Sequence, residues 1–355
     1  NIKEILRSGT NGTGEKNIIN LQTVVTTHSS HIVSECDFDD IKYLFKSKRK
    51  EVIAKDLKLL ELQYKGEKEF DKKQFKFLKQ YLTLNKAELF FADKAIFIEG
   101  DTERILIPAM MKKIDQEIND DTPLLSQNIS LVEVGNYSHI FDPFIDFLGI
   151  KTLIITDIDS AILERTDGIE NEKDKISISG CKVIEGNVTT NYSLKHFHSQ
   201  SLEELSKDEI RRESYELTHF KSLTFEDKVL EKEEGKWIKS PDGNLALVYQ
   251  ITESNTNNED YNARSFEDAF FHINRQFIID SKETFRGLKN ASFFTEMTDE
   301  QYTYNSFELA EKCVSAKPSL AMDILLNSKK EGTKEFSNWS IPLYIEEGLK
   351  WLKKD

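Results

Sequence analysis

A parallel α/β sheet covered by helices on both faces is the fold this sequence predicts, and two observations predict it. Between Ala95 and Ser160, short apolar runs alternate with amphipathic ones in the order strand, helix, strand, helix, strand. Acids stand where the apolar runs stop: Glu99 follows "AIFI", and Asp157 and Asp159 follow "KTLIIT". In open α/β sheets, ligands bind outside the carboxyl ends of the strands, so acids placed there point to a site.

Taken in order, residues 1–20 are loop-like, with "SGTNGTGEKN" at their centre. Gly9 and Gly14 have the glycine spacing of a phosphate-binding loop, but Glu15 stands where that loop requires Lys, and a surface loop is the better reading. "INLQTVVTTHSSHIVSE" reads as a buried strand around Val24 and Val25 that ends at Thr27-His28-Ser29. "DIKYLFKSKRKEVIAK" reads as a further strand and a basic turn, in which Lys46–Lys50 holds four basic residues in five, a solvated hairpin turn. Residues 71–92 repeat Phe75, Leu78, Leu82 and Leu89 near helical spacing, a connecting helix that leads into "AIFIEG".

"TERILIPAMMKKI" is the next helix, with Thr102 as its cap. "ISLVEVG" is a strand, "SHIFDPFIDFLG" a helix ending at Gly149, and "KTLIITDIDS" a strand. Residues 160–262 are polar and broken. We read them as an insertion, with helical pieces near 200–233 and a hairpin around Pro241-Asp242-Gly243. "ARSFEDAFFHINRQFI" resumes a strong helix, and the C-terminal part is helical to "YIEEGLKWLKK".

The composition bounds the function. At 355 residues the chain can bury a sizeable core, and its 38% hydrophobic and 31% charged residues are a soluble balance. No apolar run approaches the roughly 18 residues of a membrane helix, and "NIKEILRSGT" has no signal-peptide core. The first residue is not Met, which suggests a piece of a longer chain. Cys36, Cys181 and Cys313 are scattered, with neither a disulfide framework nor a zinc spacing, as a cytoplasmic protein would have them. A net charge of −14 argues against a nucleic-acid coat protein, yet leaves room for an enzyme that meets DNA through local basic groups and bound cations. His196-x-His198 has no carboxylate near it in sequence and is not read as a metal site. Asn191-Tyr192-Ser193 is a glycosylation triplet without meaning in the absence of a secretion signal.

The acids carry the chemistry. Glu99 ends one strand, Glu103 lies in the first turn of the next helix, and Gly100 between them lets the backbone turn sharply. Alternation in an extended segment sends Asp157 and Asp159 to one face. Carboxylates gathered at one sheet edge repel one another unless cations pair with them. Oxygen ligands without Cys or His suit Mg²⁺ or Mn²⁺, ions that clamp phosphates and activate water.

This arrangement, Glu at the end of the first strand and D-x-D at the end of the third, resembles the toprim fold, a Rossmann-like parallel sheet. The wider family it resembles is the overcoming lysogenization defect (OLD) nucleases, which include the nuclease subunit of the Gabija antiphage system. In them an ABC-type ATPase head precedes a toprim nuclease. The resemblance rests on "VVTTHSSHI", "LNKAELFFADKAIFIEGDTERILIPAM" and "LVEVGNYSHIFDPFIDFLGIKTLIITDIDS", about residues 20–160. It implies an ATPase tail over residues 1–70, a connecting helix over 71–92 and a toprim domain over 93–355 with the insertion inside it. It implies that His28 is the switch histidine at the last ATPase strand, that Glu267 of "ARSFEDAF" is a further metal ligand, and that Lys317 of "AKPSLAMDIL" is a catalytic lysine. The Walker A, signature and Walker B motifs are absent from this chain, so ATP is implied only for the full-length protein.

The resemblance therefore implies metal-dependent hydrolysis of double-stranded DNA. Glu99, Glu103, Asp157, Asp159 and Glu267 would hold Mg²⁺ or Mn²⁺, with Lys317 beside the phosphate. It also implies a homo-oligomer, a role in antiphage defence and, in a Gabija-type setting, a helicase-like partner. Two other readings stay open: a non-catalytic toprim-like assembly or nucleotide-sensing module, and a topoisomerase, which would need a nucleophilic Tyr in a motif that this sequence does not display.

Overall fold

A computed structural model of the chain describes residues 24–46, 51–64, 69–118, 122–166, 175–207, 212–297 and 303–354. The phosphate-loop-like Gly9–Gly14 and most of the basic run Lys46–Lys50 lie outside them. The chain divides into two compact units, Asn1–Asp93 with Ile140–Ile150, and Lys94–His139 with Lys151–Asp355.

In the first unit, β1 (Lys42–Lys46) and β2 (Val52–Asp56) form an antiparallel hairpin. Helix α1 (Glu69–Asn85) buries Phe75, Leu78 and Leu82, so the apolar spacing does mark its inner face. Leu89 is buried too, but in the short 3₁₀ turn Ala87–Phe91 beyond the helix. The strand expected at Val24 and Val25 is not there: the two are 81% and 53% exposed and belong to no sheet among the described residues. β-propensity makes a strand only where a partner strand takes up its hydrogen bonds.

The helix Asp142–Leu148, stopped by the left-handed Gly149, also belongs to this unit. Its segment is held by local contacts: the Tyr64 hydroxyl donates to the Ile140 carbonyl at 2.8 Å, the Lys55 ammonium donates to the Phe147 carbonyl, and Phe90 meets Phe144 edge-on. The expected boundary at residue 93 thus misses a second crossing of the chain at residues 140–150.

The second unit is built, among the described residues, on a six-stranded sheet. β3 (Lys94–Ile98) is buried at every position and lies parallel between β4 (Ile129–Glu133) and β5 (Lys151–Ile155), with Ile96 opposite Leu131 and Leu153. After β5 the chain makes an antiparallel sheet of β6 (Ser160–Thr166), β7 (Lys175–Gly180) and β8 (Val188–Thr189). Helix α3 (Tyr192–Phe197) follows, then helices Ser199–Lys207 and Arg212–Ser222.

The chain then returns to the main sheet, which corrects the reading of 160–262 as one insertion. β9 (Val229–Glu233), β10 (Lys236–Lys239) and β11 (Leu245–Val248) complete the order β10-β9-β11-β5-β3-β4, with β11 parallel to β5 and antiparallel to β9. β10 is an edge strand and β9 lies between it and β11; their "KWIK" and "VLEKE" hide a sheet signal among charges, as an edge strand such as β10 commonly does. The tight hairpin turn is Glu234-Gly235, both at positive φ (49° and 80°), rather than Pro241-Asp242-Gly243. The latter links β10 to β11, which are not neighbours.

At Gly243 an added Cβ would stand 2.3 Å from the Leu230 carbonyl oxygen. Gly243→Ala must push two backbone segments apart and is expected to cost about 3 kcal/mol of stability, measurable by urea unfolding.

Helix α2 (Asp101–Glu117) buries Leu106, Ile107, Met110 and Ile114 in the core of this unit. The C-terminal helix α6 (Leu343–Lys353) brings Gly348 so close to the sheet that a Cβ there would meet Leu153 at 2.8 Å. Its C-terminus is closed by Lys94, whose ammonium donates to the Leu352 carbonyl at 2.8 Å, a cation at the negative end of a helix. Helices α4 (Phe266–Ile273) and α5 (Lys317–Leu326) complete the parts needed below. Among the described residues, no helix is long and apolar enough to cross a membrane.

Candidate active site

The carboxyl ends of β3 and β5 and the first turns of α2, α4 and α5 bring together Glu99, Glu103, Asp157, Asp159, Glu267 and Lys317. Glu99 is the first residue past β3. Its Oε1 accepts from the Thr156 hydroxyl, from the Asp157 N–H at 3.0 Å and from Asn191 Nδ2 at 3.3 Å. Glu103 is buried, and its Oε2 accepts from the Gly100 N–H at 3.2 Å, closing the open end of α2. Thr102 is therefore not the cap. It is buried in the first turn and donates to Glu267 Oε1 at 3.4 Å. Gly100 is the cap position, in extended backbone (φ −161°), so the turn does not draw on the conformational freedom of glycine.

Asp157 is buried, and its Oδ1 accepts from Gln250 Nε2 at 2.5 Å. Asp159 reaches the site by a different route from the expected one. β5 ends at Ile155, and Asp159 has φ +46°, so strand alternation does not relate it to Asp157. Its Oδ1 lies 3.5 Å from Arg264 Nη2, and its N–H donates to the Arg264 carbonyl at 3.4 Å. Glu267, buried in the first turn of α4, is 3.1 Å from the Lys317 ammonium, which is 61% exposed. Lys317 opens α5, ahead of Pro318. His28 lies in the other unit, exposed, with its ring 6.1 Å from Phe91.

Burial and mutual repulsion govern the acids. Burial raises Asp157 well above the ordinary carboxylate range, and Glu99, Glu103, Asp159 and Glu267 add to the rise. Burial, then Glu267 and Glu99, push Glu103 up to about 7. Glu99 is raised by burial against its hydrogen bonds, and Asp159 by burial against Arg264 and Lys317. Burial would lower Lys317, but Glu267, Asp157 and Glu103 outweigh it and raise it, so it stays an ammonium. Among the described residues, no three His, Cys, Asp or Glu side chains converge so as to hold one ion. Thr156, Asn191, Gln250, Arg264 and Lys317 occupy the acids instead. The donor set is oxygen only and crowded with negative charge, which fits a hard divalent cation once Arg264 and Lys317 release Asp159 and Glu267.

Sequence reading missed the neutral partners. Asn191 caps α3, accepting from the Ser193 and Leu194 N–H groups, while its Nδ2 also donates to Thr156 Oγ1 at 2.7 Å and the Asp157 carbonyl at 2.8 Å. The triplet Asn191-Tyr192-Ser193 is thus a helix start. Gln250 ends the apolar run "LALVY" as Glu99 ends "AIFI", a polar stop that the wide reading of the insertion obscured. His198 is buried against Phe220 and pushed down to about 3 by burial, a neutral core residue.

The parallel sheet with acids at its carboxyl edge has a counterpart among known families: residues 90–159 match the model of the overcoming lysogenization defect protein-like TOPRIM domain. This part of the chain is thus similar to the toprim domains of OLD-like proteins. It is 28% identical over 351 residues to endonuclease GajA of Bacillus cereus (strain HuB5-5), an alignment covering 95% of this chain and 43% of that protein. The chain therefore spans less than half the length of this curated relative. The solved C-terminal region of the Burkholderia pseudomallei OLD protein aligns at 18% identity over 74% of this chain and 98% of that one, with a TM-score of 0.35.

Proposed function

We propose that this chain is the nuclease part of an OLD-type protein, hydrolysing phosphodiester bonds of double-stranded DNA with Mg²⁺ or Mn²⁺. The observation that carries the reading is the gathering of Glu99, Glu103, Asp157, Asp159 and Glu267 around one exposed ammonium, Lys317, at the carboxyl edge of a toprim sheet. The toprim match and the likeness to an endonuclease support it.

The five acids would hold the cation, and its chemistry is to activate a water and to neutralise charge on the phosphate oxygens. Glu99 and Asp157 would be among the groups that hold it, and their carboxylates are fixed by Thr156, Asn191 and Gln250. Lys317 leaves Glu267 to donate to a phosphate oxygen, stabilising the charge that develops in the transition state. Lys317→Ala is expected to lower cleavage roughly 10²-fold, with Lys317→Arg recovering part of it, as read in single-turnover cleavage at saturating metal. By the same reading His28 contacts nucleotide only in a full-length protein with its ATPase head. Residues 1–70 are then the tail of that head, 71–92 the connecting helix, and the chain a cytoplasmic homo-oligomer in antiphage defence with a helicase-like partner.

The test is plasmid cleavage by this chain with Mg²⁺, Mn²⁺ or EDTA. Cutting in either metal that EDTA stops supports the reading. No cutting, here and in the full-length protein with ATP, sinks it in favour of a non-catalytic toprim-like module.

A further inference from the structure

We infer that Gln250 is a positioning residue for this site, its side-chain amide presenting one oxygen of Asp157 to a divalent cation. The inference rests on the metal-dependent reading above. Strand register brings the two residues together. β11 and β5 are parallel with Val248 opposite Ile155, and the Thr156 N–H continues the ladder to the Val248 carbonyl at 3.0 Å. Gln250 and Asp157 each lie two residues beyond those partners, side by side at the sheet edge.

The amide has a single workable orientation. Gln250 Oε1 accepts from the Ile158 N–H at 2.8 Å, so its NH₂ must face Asp157 Oδ1, at 2.5 Å, and the Tyr344 hydroxyl, at 3.1 Å. Gln250 and Tyr344 are both fully buried, which locks the amide. With Oδ1 engaged, no group among the described residues donates to Asp157 Oδ2, the oxygen left for the cation. An amide suits this place better than Lys or Arg: it orients the carboxylate without bringing a positive charge that would compete with the metal.

The test is Mn²⁺ binding by the metal-free chain, followed by loss of the free-ion EPR signal, beside thermal unfolding in EDTA. Gln250→Met keeps the size and removes the donor, and should weaken Mn²⁺ binding about 10- to 100-fold. Gln250→Lys puts a cation among repelling acids, which favours folding, and should abolish Mn²⁺ binding. A merely structural Gln250 would shift unfolding in EDTA without changing the Mn²⁺ affinity of the folded protein. Either variant, folded and binding Mn²⁺ within about twofold of wild type, overturns the inference while leaving the nuclease reading intact. Wild-type protein that binds no Mn²⁺, or a Glu99→Ala variant that binds it as wild type does, overturns both.

Discussion

Glu99→Ala and Asp157→Ala are each expected to lower metal-dependent DNA cleavage by about 10³-fold or more, and to make the metal-free protein no less stable. The two effects share one cause. On the proposed reading each acid would be a ligand, whose loss would remove several kcal/mol of transition-state stabilisation, and a tenfold rate change corresponds to about 1.4 kcal/mol. Asp157 is buried and Glu99 partly so, and desolvation together with neighbouring acids raises both, so removal of either relieves an unfavourable charge when no cation is bound. Single-turnover plasmid cleavage with Mg²⁺ and urea unfolding in EDTA read the two sides. Full activity in either variant would remove that residue from the site. Lost activity together with a large loss of stability would mean that the acid supports the fold.

The second large effect is a pH dependence. Glu103 is buried and titrates at about 7 in the folded chain, against 4.5 ordinarily. Between those values the folded state holds a proton that the unfolded state has released, so stability falls as pH rises. The contribution is intact below about 4.5 and lost once pH passes 7. In EDTA, Glu103→Gln is therefore expected to gain on wild type by up to about 3 kcal/mol between pH 5 and pH 8. Taking the difference between variant and wild type cancels the buried histidines, which act in the opposite sense over part of this range. Mg²⁺ at pH 8 should narrow the gap, because a cation favours the ionised acid. A gap that does not vary with pH would show that Glu103 ionises freely and is not crowded by Glu267 and Glu99.

The amino-acid sequence by itself determined the parallel core and its acid edge. "KAIFI" and "KTLII" are buried strands because each is a short apolar run stopped by polar residues, and "ISLVE", at the sheet edge, buries alternate residues. Glu99 and Asp157 could be placed at strand ends for the same local reason. What the sequence left open depended on pairing between segments far apart in the chain. The "VLEKE" and "KWIK" strands look like surface segments until β11 gives β9 a neighbour, and "VVTT" looks like a strand although it pairs with none among the described residues. Asp159 entered the site through a left-handed residue and Arg264, not through strand alternation. Gln250 and Asn191 became part of the site only when β11 and the start of α3 brought their amides against Asp157 and Glu99. Apolar periodicity is a property of neighbours along the chain and can be read there. The amides that aim the carboxylates come from far along the chain, Gln250 93 positions from Asp157 and Asn191 92 positions from Glu99, and only the closed sheet brings them within hydrogen-bonding reach.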